Sequence, residues 1–365
     1  MFLKNAWYVA AGTAEIGHAP LGRVILNEPI VLYRTDTGPV AFEDRCCHRR
    51  APLSKGRVEG NALRCGYHGL LFNPAGECIE VPGQSRVPRS ARVRVYPICE
   101  KHRWIWIWMG DPARADPALI PDLHHNDTLG WTATGGHLVV SADYRYLVDN
   151  LMDLSHLAFV HANSIGSSGD TNPNLTWSRG SDQVRGVRIA TNIPPSPRFR
   201  KLGVTCNVDI TKNITFMAPS NVTIEITQTR TGARPGDDGS LTFHSMIMNC
   251  MTPATENTCH YFWGSAREYD IDNDEMTQFV YDHTLHAFLE DKDMIEGQQR
   301  IVGFDNDAAT VDILGDAGSI QARAVIERLI AAEQSAAAGS PVGHRSAVEN
   351  GTRKRPPGSR NTTWN

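Results

Sequence analysis

Two stretches, DRCCHRRAPL at Asp44–Leu53 and RCGYHGLLF at Arg64–Phe72, decide how the first third of the chain is read. Cys46 and His48 stand in C-x-H spacing, Cys65 and His68 in C-x-x-H spacing, and sixteen residues separate His48 from Cys65. Each stretch thus offers one thiolate and one imidazole. A two-iron, two-sulfide centre with both thiolates on one iron and both imidazoles on the other needs that supply. Zinc also accepts two cysteines and two histidines, but finger spacings pair Cys with Cys and His with His. Cys47, between two ligand positions, is expected to point away. A disulfide from Cys47 to Cys78 or Cys99 is the remaining alternative. Cys78, Cys99, Cys206, Cys250 and Cys259 read as small buried hydrophobes.

Strand patterning surrounds these loops. GRVILNEPIVLYRTDTGPVAFED and ARVRVYPICEKHRWIWIWMGD alternate apolar runs with turn residues. The Pro- and Asp-rich stretch Asp111–Asp127 reads as a linker. At 365 residues the chain suits two domains. We expect an all-β domain over 1–125, an α+β domain over 126–334 and a loose polar tail over 335–365. In the second domain, strand-like runs cover Arg185–Asn192, Val204–Ile210, Asn221–Gln228, Leu241–Thr252 and Asn257–Arg267. A long helix is expected from Asp272 or Asp274 through the segment ending QQRIV, and a shorter one over Ser319–Glu333. A net charge of −4 gives no pull toward nucleic acid or an anionic membrane. Apolar runs such as Trp104–Met109 fall far short of the roughly 20 residues a membrane helix needs. The N-terminal stretch lacks the pattern of a secretory signal, so a cytoplasmic address is the expectation, and in that reducing compartment cysteines serve as thiols or metal ligands rather than disulfides.

The loops and their surroundings, CCHRRAPLSKG and RCGYHGLLFNPAGEC, resemble the Rieske non-haem iron oxygenases. Respiratory Rieske proteins carry an extra cysteine in each loop, and the second loop here has none near His68. The resemblance implies a Rieske [2Fe-2S] domain followed by a helix-grip (START-like) catalytic domain. It therefore directs attention to a second metal.

The segment DNLMDLSHLAFVH supplies Asn150, Asp153, His156 and His161. Two histidines and a carboxylate form the facial triad that holds Fe(II) and leaves positions open. In a regular helix His156 and His161 would lie about 140° apart at ~100° per residue. Both can face one metal only if the helix ends or bulges between them. Asp153 precedes His156 by three residues and is placed to accept a ligand's ring N–H, fixing its tautomer. The third ligand is sought among Glu290, Asp291, Asp293 and Glu296. Asp291 falls at the edge of the apolar stripe through Tyr281, Leu285, Phe288 and Ile295, where an Asp wants a cation. Asp293 is the runner-up; Glu290, Lys292 and Asp293 fit a charged solvent face. The motif NLMDLSHLAFVH and the late Glu-Asp pair also resemble the family's iron motif.

The resemblance further implies a homotrimer in which electrons pass from His68 of one subunit through Asp153 of the next to His156. Arg49, Arg50, Lys55, Arg57 and Arg64 offer a basic rim for an acidic ferredoxin. The stretches NAWYVAA, IWIWMGDP, LVDNLMDLSHLAFVH and CHYFWGSAR are most similar to the O-demethylase branch, of the vanillate and dicamba type. The implied activity is hydroxylation of an O- or N-alkyl group of a small aromatic compound. It would use O2 and electrons from a ferredoxin or an NAD(P)H-dependent reductase. The alternative is a ring dioxygenase of the phthalate type that forms cis-diols. Leu241–Gly264 contains no Lys or Arg and Val204–Gln228 contains only Lys212. A neutral or weakly polar substrate is therefore expected, oriented by His244 or Asn249, unless Arg198 or Arg200 supplies a charge.

Overall fold

The computed structural model describes residues 1–162, 164–165, 175–233, 242–304 and 309–339. The first part holds ten short strands: β1 (Trp7–Gly12), β2 (Leu21–Ile25), β3 (Glu28–Thr35), β4 (Gly38–Glu43), β5 (Arg57–Glu59), β6 (Ala62–Arg64), β7 (Leu71–Phe72), β8 (Cys78–Glu80), β9 (Ile98–Lys101) and β10 (Trp104–Trp108). They form three small antiparallel sheets, β1-β10-β9, β2-β3-β4 and β5-β6-β7-β8. The pleat of β10 shows how the sequence builds this part. Its WIWIW repeat sends Ile105 and Ile107 into one cluster with Tyr8 and Ile30. Trp104, Trp106 and Trp108 point the other way, into a cluster with Met248 and Phe262 of the second part.

The Asp/Pro segment that follows makes 3-10 turns rather than open chain. Asp111 and Asp116 each accept a backbone N–H from two residues on, at 3.0 and 2.9 Å. Beyond it lie β11 (Thr132–Val140), α1 (Tyr144–Met152), β12 (Leu175–Arg179), β13 (Gln183–Ile193), α2 (Pro197–Lys201), β14 (Val208–Met217), β15 (Asn221–Arg230), β16 (Thr242–Thr255), β17 (Thr258–Arg267), α3 (Asp274–Val302) and α4 (Ala317–Gly339). The seven strands make one antiparallel sheet in the order β11-β17-β16-β15-β14-β13-β12. One face packs on the tryptophan cluster. The other packs on α1, α3 and α4 through Tyr261, Trp263, Phe288 and Val325. The two parts are also stitched by backbone, Leu26 N–H to the Pro253 carbonyl at 2.9 Å, and by Thr252 Oγ1 to the Val9 carbonyl at 2.7 Å. Among the described residues no helix is long and apolar enough to cross a membrane.

Several boundaries differ from the sequence reading. β14 starts at Val208, not Val204, and runs to Met217. β11 and β12 were not anticipated; β11 carries Gly135 and Gly136, which weaken any strand signal. α4 continues to Gly339, past the expected break at Ser335. The remainder of the expected tail lies outside the described residues.

Candidate metal centres

The two cysteine loops are built alike. In each, the cysteine carbonyl accepts from the residue four on, Arg50 N at 2.9 Å and Gly69 N at 3.2 Å. In each, the cysteine N–H donates to the carbonyl five on, Ala51 at 2.9 Å and Leu70 at 2.8 Å. Arg50 and Gly69 both have positive φ, 59° and 75°, which closes the turn. The loops nest through glycine: a Cβ on Gly66 would stand 2.5 Å from the Lys55 carbonyl oxygen. This brings Cys46 and Cys65 within hydrogen-bonding reach, both buried, and sets the His48 and His68 rings 4.6 Å apart, both exposed. Burial pushes the Cys46 thiol up to about 12, against the backbone N–H of His48. A thiol so placed needs a bound metal to be held as thiolate. Two buried sulfurs under two exposed imidazoles fit a [2Fe-2S] cluster, which Cys46 and Cys65 would hold from the buried side and His48 and His68 from the exposed side. Cys47 is exposed, and all eight cysteines are free. Of the basic rim, Arg64 is tied to Glu59 and Glu80 at 2.7 and 3.0 Å and Arg57 to Glu59 at 2.7 Å; Arg49, Arg50 and Lys55 are exposed.

The second centre starts where α1 stops. Asp143 caps α1 by accepting from Arg145 N at 2.9 Å, and the helix ends at Met152, with Asp153 extended. A 3-10 turn, Ser155–Ala158, then carries His156. Ending the helix removes the angular conflict between His156 and His161. The two rings lie 5.3 Å apart, and with Asp291 of α3 they offer ligand atoms all within 4.8 Å of one another. Asp291 is 4% exposed. Its neighbours are His161 Nε2 at 3.1 Å, His156 Nε2 at 3.6 Å and Asn150 Nδ2, which donates at 2.9 Å. No Lys or Arg among the described residues pairs with it within 4.0 Å. A carboxylate so buried calls for a cation, and two imidazoles with one carboxylate suit Fe(II).

Both rings are oriented from behind. His156 Nδ1 donates to the Asp153 backbone carbonyl at 2.5 Å. The Asp153 carboxylate is occupied elsewhere, accepting from Ser155 N at 2.8 Å and Ser155 Oγ at 2.9 Å. His161 Nδ1 donates to Glu290 Oε2 at 2.7 Å, and Ser164 Oγ donates to the same oxygen at 2.6 Å. Both Nε2 atoms are thereby left to a metal. Burial lowers the pKa of His156, keeping it neutral. Burial also opposes charge on His161, but hydrogen bonding to Asp291 and Glu290 outweighs it and raises that pKa. Burial tends to raise Glu290, yet the bonds from Ser164 and His161 leave it lowered. Glu290, a candidate ligand whose wheel position also fits a solvent face, is instead the partner of His161. Asp293 lies on the exposed side of α3, away from the cluster of ligands.

The expected substrate residues fare differently. His244 shares a strand face with Met246 and Met248, which pack in the tryptophan cluster, so it points away from α3. Its Nδ1 meets Thr227 Oγ1 at 3.2 Å and its Nε2 lies 3.5 Å from Glu268. Asn249 does face α3, but its Oδ1 accepts from Tyr261 Oη at 2.7 Å and its Nδ2 donates to the Val222 carbonyl at 3.0 Å. The expectation of a neutral or weakly polar substrate drew on Leu241–Gly264 and Val204–Gln228, in which Lys212 is the one basic residue. The stretch that held no Lys or Arg stopped at Gly264, three residues short of Arg267, which is wholly buried. Arg188 of β13 is buried as well.

One chain with a cysteine–histidine loop pair and a separate two-histidine, one-carboxylate site is a Rieske non-haem iron oxygenase. Residues 6–97 match the Rieske [2Fe-2S] domain model and residues 140–332 match that of the vanillate O-demethylase oxygenase C-terminal domain. The chain is 38% identical over 346 residues to the toluene-4-sulfonate monooxygenase system iron-sulfur subunit of Comamonas testosteroni, covering 93% of this chain and 100% of that one. It is 40% identical over 347 residues to a vanillate O-demethylase oxygenase subunit from a Pseudomonas strain, covering 92% and 97%. A crystal structure of dicamba monooxygenase with non-heme iron and dicamba superposes with a TM-score of 0.80 at 32% identity, covering 92% and 99%. The chain belongs to the vanillate O-demethylase oxygenase family. Its cofactors are one [2Fe-2S] cluster and one mononuclear iron.

Proposed function

We propose that this terminal oxygenase hydroxylates an O- or N-alkyl carbon of a small aromatic compound. The hydroxylated carbon then collapses to an aldehyde and the free phenol or amine. Cys46, His48, Cys65 and His68 hold the cluster; His156, His161 and Asp291 hold the iron. The observation that carries the reading is the convergence of His156, His161 and Asp291 beside the inner face of the large sheet. Fe(II) there would supply oxygen activation, with electrons delivered from a ferredoxin or an NAD(P)H-dependent reductase through the cluster. The chain's own residues set the conditions. Glu290 and the Asp153 carbonyl fix the two imidazoles, Asn150 holds one oxygen of Asp291, and Tyr261, Trp263 and Phe288 exclude water above them.

A homotrimer is part of the proposal. Asp153 reaches the edge of a surface hollow lined by Phe159, Ile313, Leu314 and Ile320, all exposed, where a Cβ on Gly315 would stand 2.9 Å from its Oδ1. An apolar patch beside a polar relay favours a partner surface over solvent. On the cluster side, the ring of exposed Tyr67 lies tilted against His68, centroids 3.9 Å apart, a projecting tip that suits such a hollow. Electrons would pass from His68 of one subunit through Asp153 of the next to His156. A cytoplasmic address is part of the same reading: two of the eight cysteines serve the cluster and the other six are in no disulfide.

The test is turnover of aromatic ethers and N-alkyl anilides with a surrogate reductase. Formaldehyde, or the matching aldehyde, and a dealkylated product are expected; a cis-diol without aldehyde would reject the reading. Asp153→Asn is expected to retain both metals and slow reoxidation of the cluster during turnover. Normal turnover in that variant would reject the bridge.

A further inference from the structure

The chain at the start of α4 bears on the turn that carries His156 at three points. Gly315 and Gly318 are buried, whereas Leu314 and Ile320 beside them are exposed. A Cβ on Gly318 would stand 2.7 Å from the carbonyl oxygen of Met152, the last residue of α1, and would overlap two ring atoms of Trp177. A Cβ on Gly315 would stand 2.9 Å from Asp153 Oδ1, 3.2 Å from its Cγ and 3.1 Å from Ser155 Oγ. Neither glycine has a positive φ, so close approach, not backbone conformation, is what each allows. Five residues beyond Gly318, Arg323 Nε donates to both oxygens of Asp149, at 2.8 and 2.9 Å. Between these polar contacts, Ala322, Val325 and Ile326 of α4 pack in one cluster with Val148, Leu151 and Met152 of α1.

These contacts fall on the residues from which one iron ligand hangs. Asp153 N–H donates to the Asp149 and Asn150 carbonyls at 3.0 and 3.3 Å and closes α1. The Asp153 carbonyl in turn accepts from His156 Nδ1, while its carboxylate accepts from Ser155. Gly318 and Gly315 therefore face different groups. Gly318 faces main chain: a displaced Met152 carbonyl moves the next peptide, whose oxygen orients His156. Gly315 faces side-chain atoms alone, so crowding there swings the Asp153 carboxylate and leaves the backbone in place. The Trp177 ring gives Gly318 no relief. A Cβ on Gly186 of β13 would overlap the same ring, so the indole is confined between β13 and α4. In a close-packed interior an added methyl group is taken up by moving what can move, here the end of α1.

We propose that Gly315, Gly318 and Arg323 are positioning residues for the iron turn. The start of α4 is a mould: Gly318 and Arg323 set the main chain that orients His156, and Gly315 leaves the Asp153 carboxylate its place. The proposal rests on the reading that His156 is an iron ligand and that Asp153 bridges the two centres. Arg323 acts through Asp149. Its guanidinium fork holds that carboxylate, and the Asp149 carbonyl is an acceptor of the Asp153 N–H. One helix thereby sets two groups of one residue separately, the carbonyl that serves the iron ligand and the carboxylate that serves the relay.

Two measurements on the full chain test the split. One is anaerobic competition for Fe(II) with a chromophoric chelator. The other is reoxidation of the dithionite-reduced cluster in aerated buffer with methoxybenzene present. Gly318→Ala is expected to bind Fe(II) about tenfold more weakly with cluster absorbance unchanged, the order of loss when a ligand's support is disturbed. Gly315→Ala is expected to keep native Fe(II) affinity and to slow reoxidation about tenfold or more, as a misplaced reacting group does. Since Gly318→Ala also crowds Trp177, it is repeated in a Trp177→Phe background, which removes the ring overlap and keeps the Met152 contact. That double variant is expected to bind Fe(II) as weakly as Gly318→Ala, and Trp177→Phe alone as tightly as the native chain. Arg323→Met, which releases Asp149 and does not crowd the turn, is expected to weaken Fe(II) binding about tenfold as well. Native Fe(II) affinity in the double variant and in Arg323→Met overturns the mould. Loss of cluster absorbance in step with Fe(II) in both also overturns it, because the defect then belongs to the whole fold. Asp153→Asn, run alongside, separates this claim from the bridge. Slow reoxidation in Asp153→Asn but not in Gly315→Ala overturns the role of Gly315 and keeps the bridge. Native reoxidation in Asp153→Asn rejects the bridge, and the Fe(II) affinities then decide the mould by themselves.

Discussion

Replacing Glu290 tests how the iron site is held from behind. Its Oε2 accepts from His161 Nδ1 at 2.7 Å and from Ser164 Oγ at 2.6 Å. On the proposed iron-site reading, the carboxylate fixes the tautomer that would present His161 Nε2 to the metal and would make that nitrogen more basic. In Glu290→Gln an amide oxygen can still accept from Nδ1, so ring orientation survives while the negative charge is lost. In Glu290→Ala both are lost, and Ser164 loses its acceptor too. Removing such partners costs metal affinity about 10- to 100-fold. The Glu290 side chain is 23% exposed, so solvent screens part of its charge. We expect about a tenfold loss of Fe(II) affinity for Glu290→Gln and about a hundredfold loss for Glu290→Ala, or ~1.4 and ~2.7 kcal/mol. The assay is anaerobic competition with a chromophoric Fe(II) chelator, with the visible absorbance of the [2Fe-2S] cluster as an internal control. Native affinity in Glu290→Ala would refute the reasoning. So would parallel loss of cluster absorbance, since the residue would then be serving the whole fold rather than one ligand.

Three further outcomes follow from other parts of the molecule. Cys47→Ser should keep the cluster's colour and acid-labile sulfide while Cys46→Ser loses both; loss in the first variant would mean that the exposed thiol is a ligand after all. Gly56→Ala should yield protein depleted of cluster, because the added Cβ would stand 2.0 Å from the Arg64 carbonyl oxygen and 2.9 Å from that of Leu53, backbone atoms that separate the two loops; full cluster content by absorbance counts against it. His137, between the two parts of the chain, is lowered to about 4, first by burial and then by Arg23 and His260. It is neutral when folded and takes a proton near pH 6.5 when unfolded. Its contribution is therefore complete above pH 6.5 and lost as pH falls toward 4, by roughly 3 kcal/mol. Urea midpoints at pH 7 and pH 4.5 should differ less for His137→Gln than for the native chain, and an unchanged difference argues against this group.

What was legible in the sequence, and what was not, divides along a physical line. Cys46, His48, Cys65 and His68 lie in two short loops, so spacing alone limits which donors can meet. Asp291 was legible because a helix gives each residue a face, and an Asp beside Phe288 and Ile295 is anomalous there. Glu290 was not, since its wheel position suits solvent and only the turn carrying His161 and Ser164 turns it into a partner. The strands were harder. Along β16, from Ser245 to Ala254, residues on both faces are largely buried, one against the tryptophans and the other against α3. A strand covered on both sides has no polar–apolar alternation to show which residues share a face. Only the register with β15 and β17 assigns His244 to the tryptophan side and Asn249 to the α3 side. Arg267 was missed for a related reason: at the end of its strand a basic residue reads as a solvated terminus. Its burial follows from α3 folding back over it, a contact with Thr277 that no local pattern encodes. The donors proposed for the two metal centres show in the sequence as loop spacing and as one anomalous position on a helix face. Which residues of a two-sided sheet lie on the side that the helices cover is decided only in the folded chain.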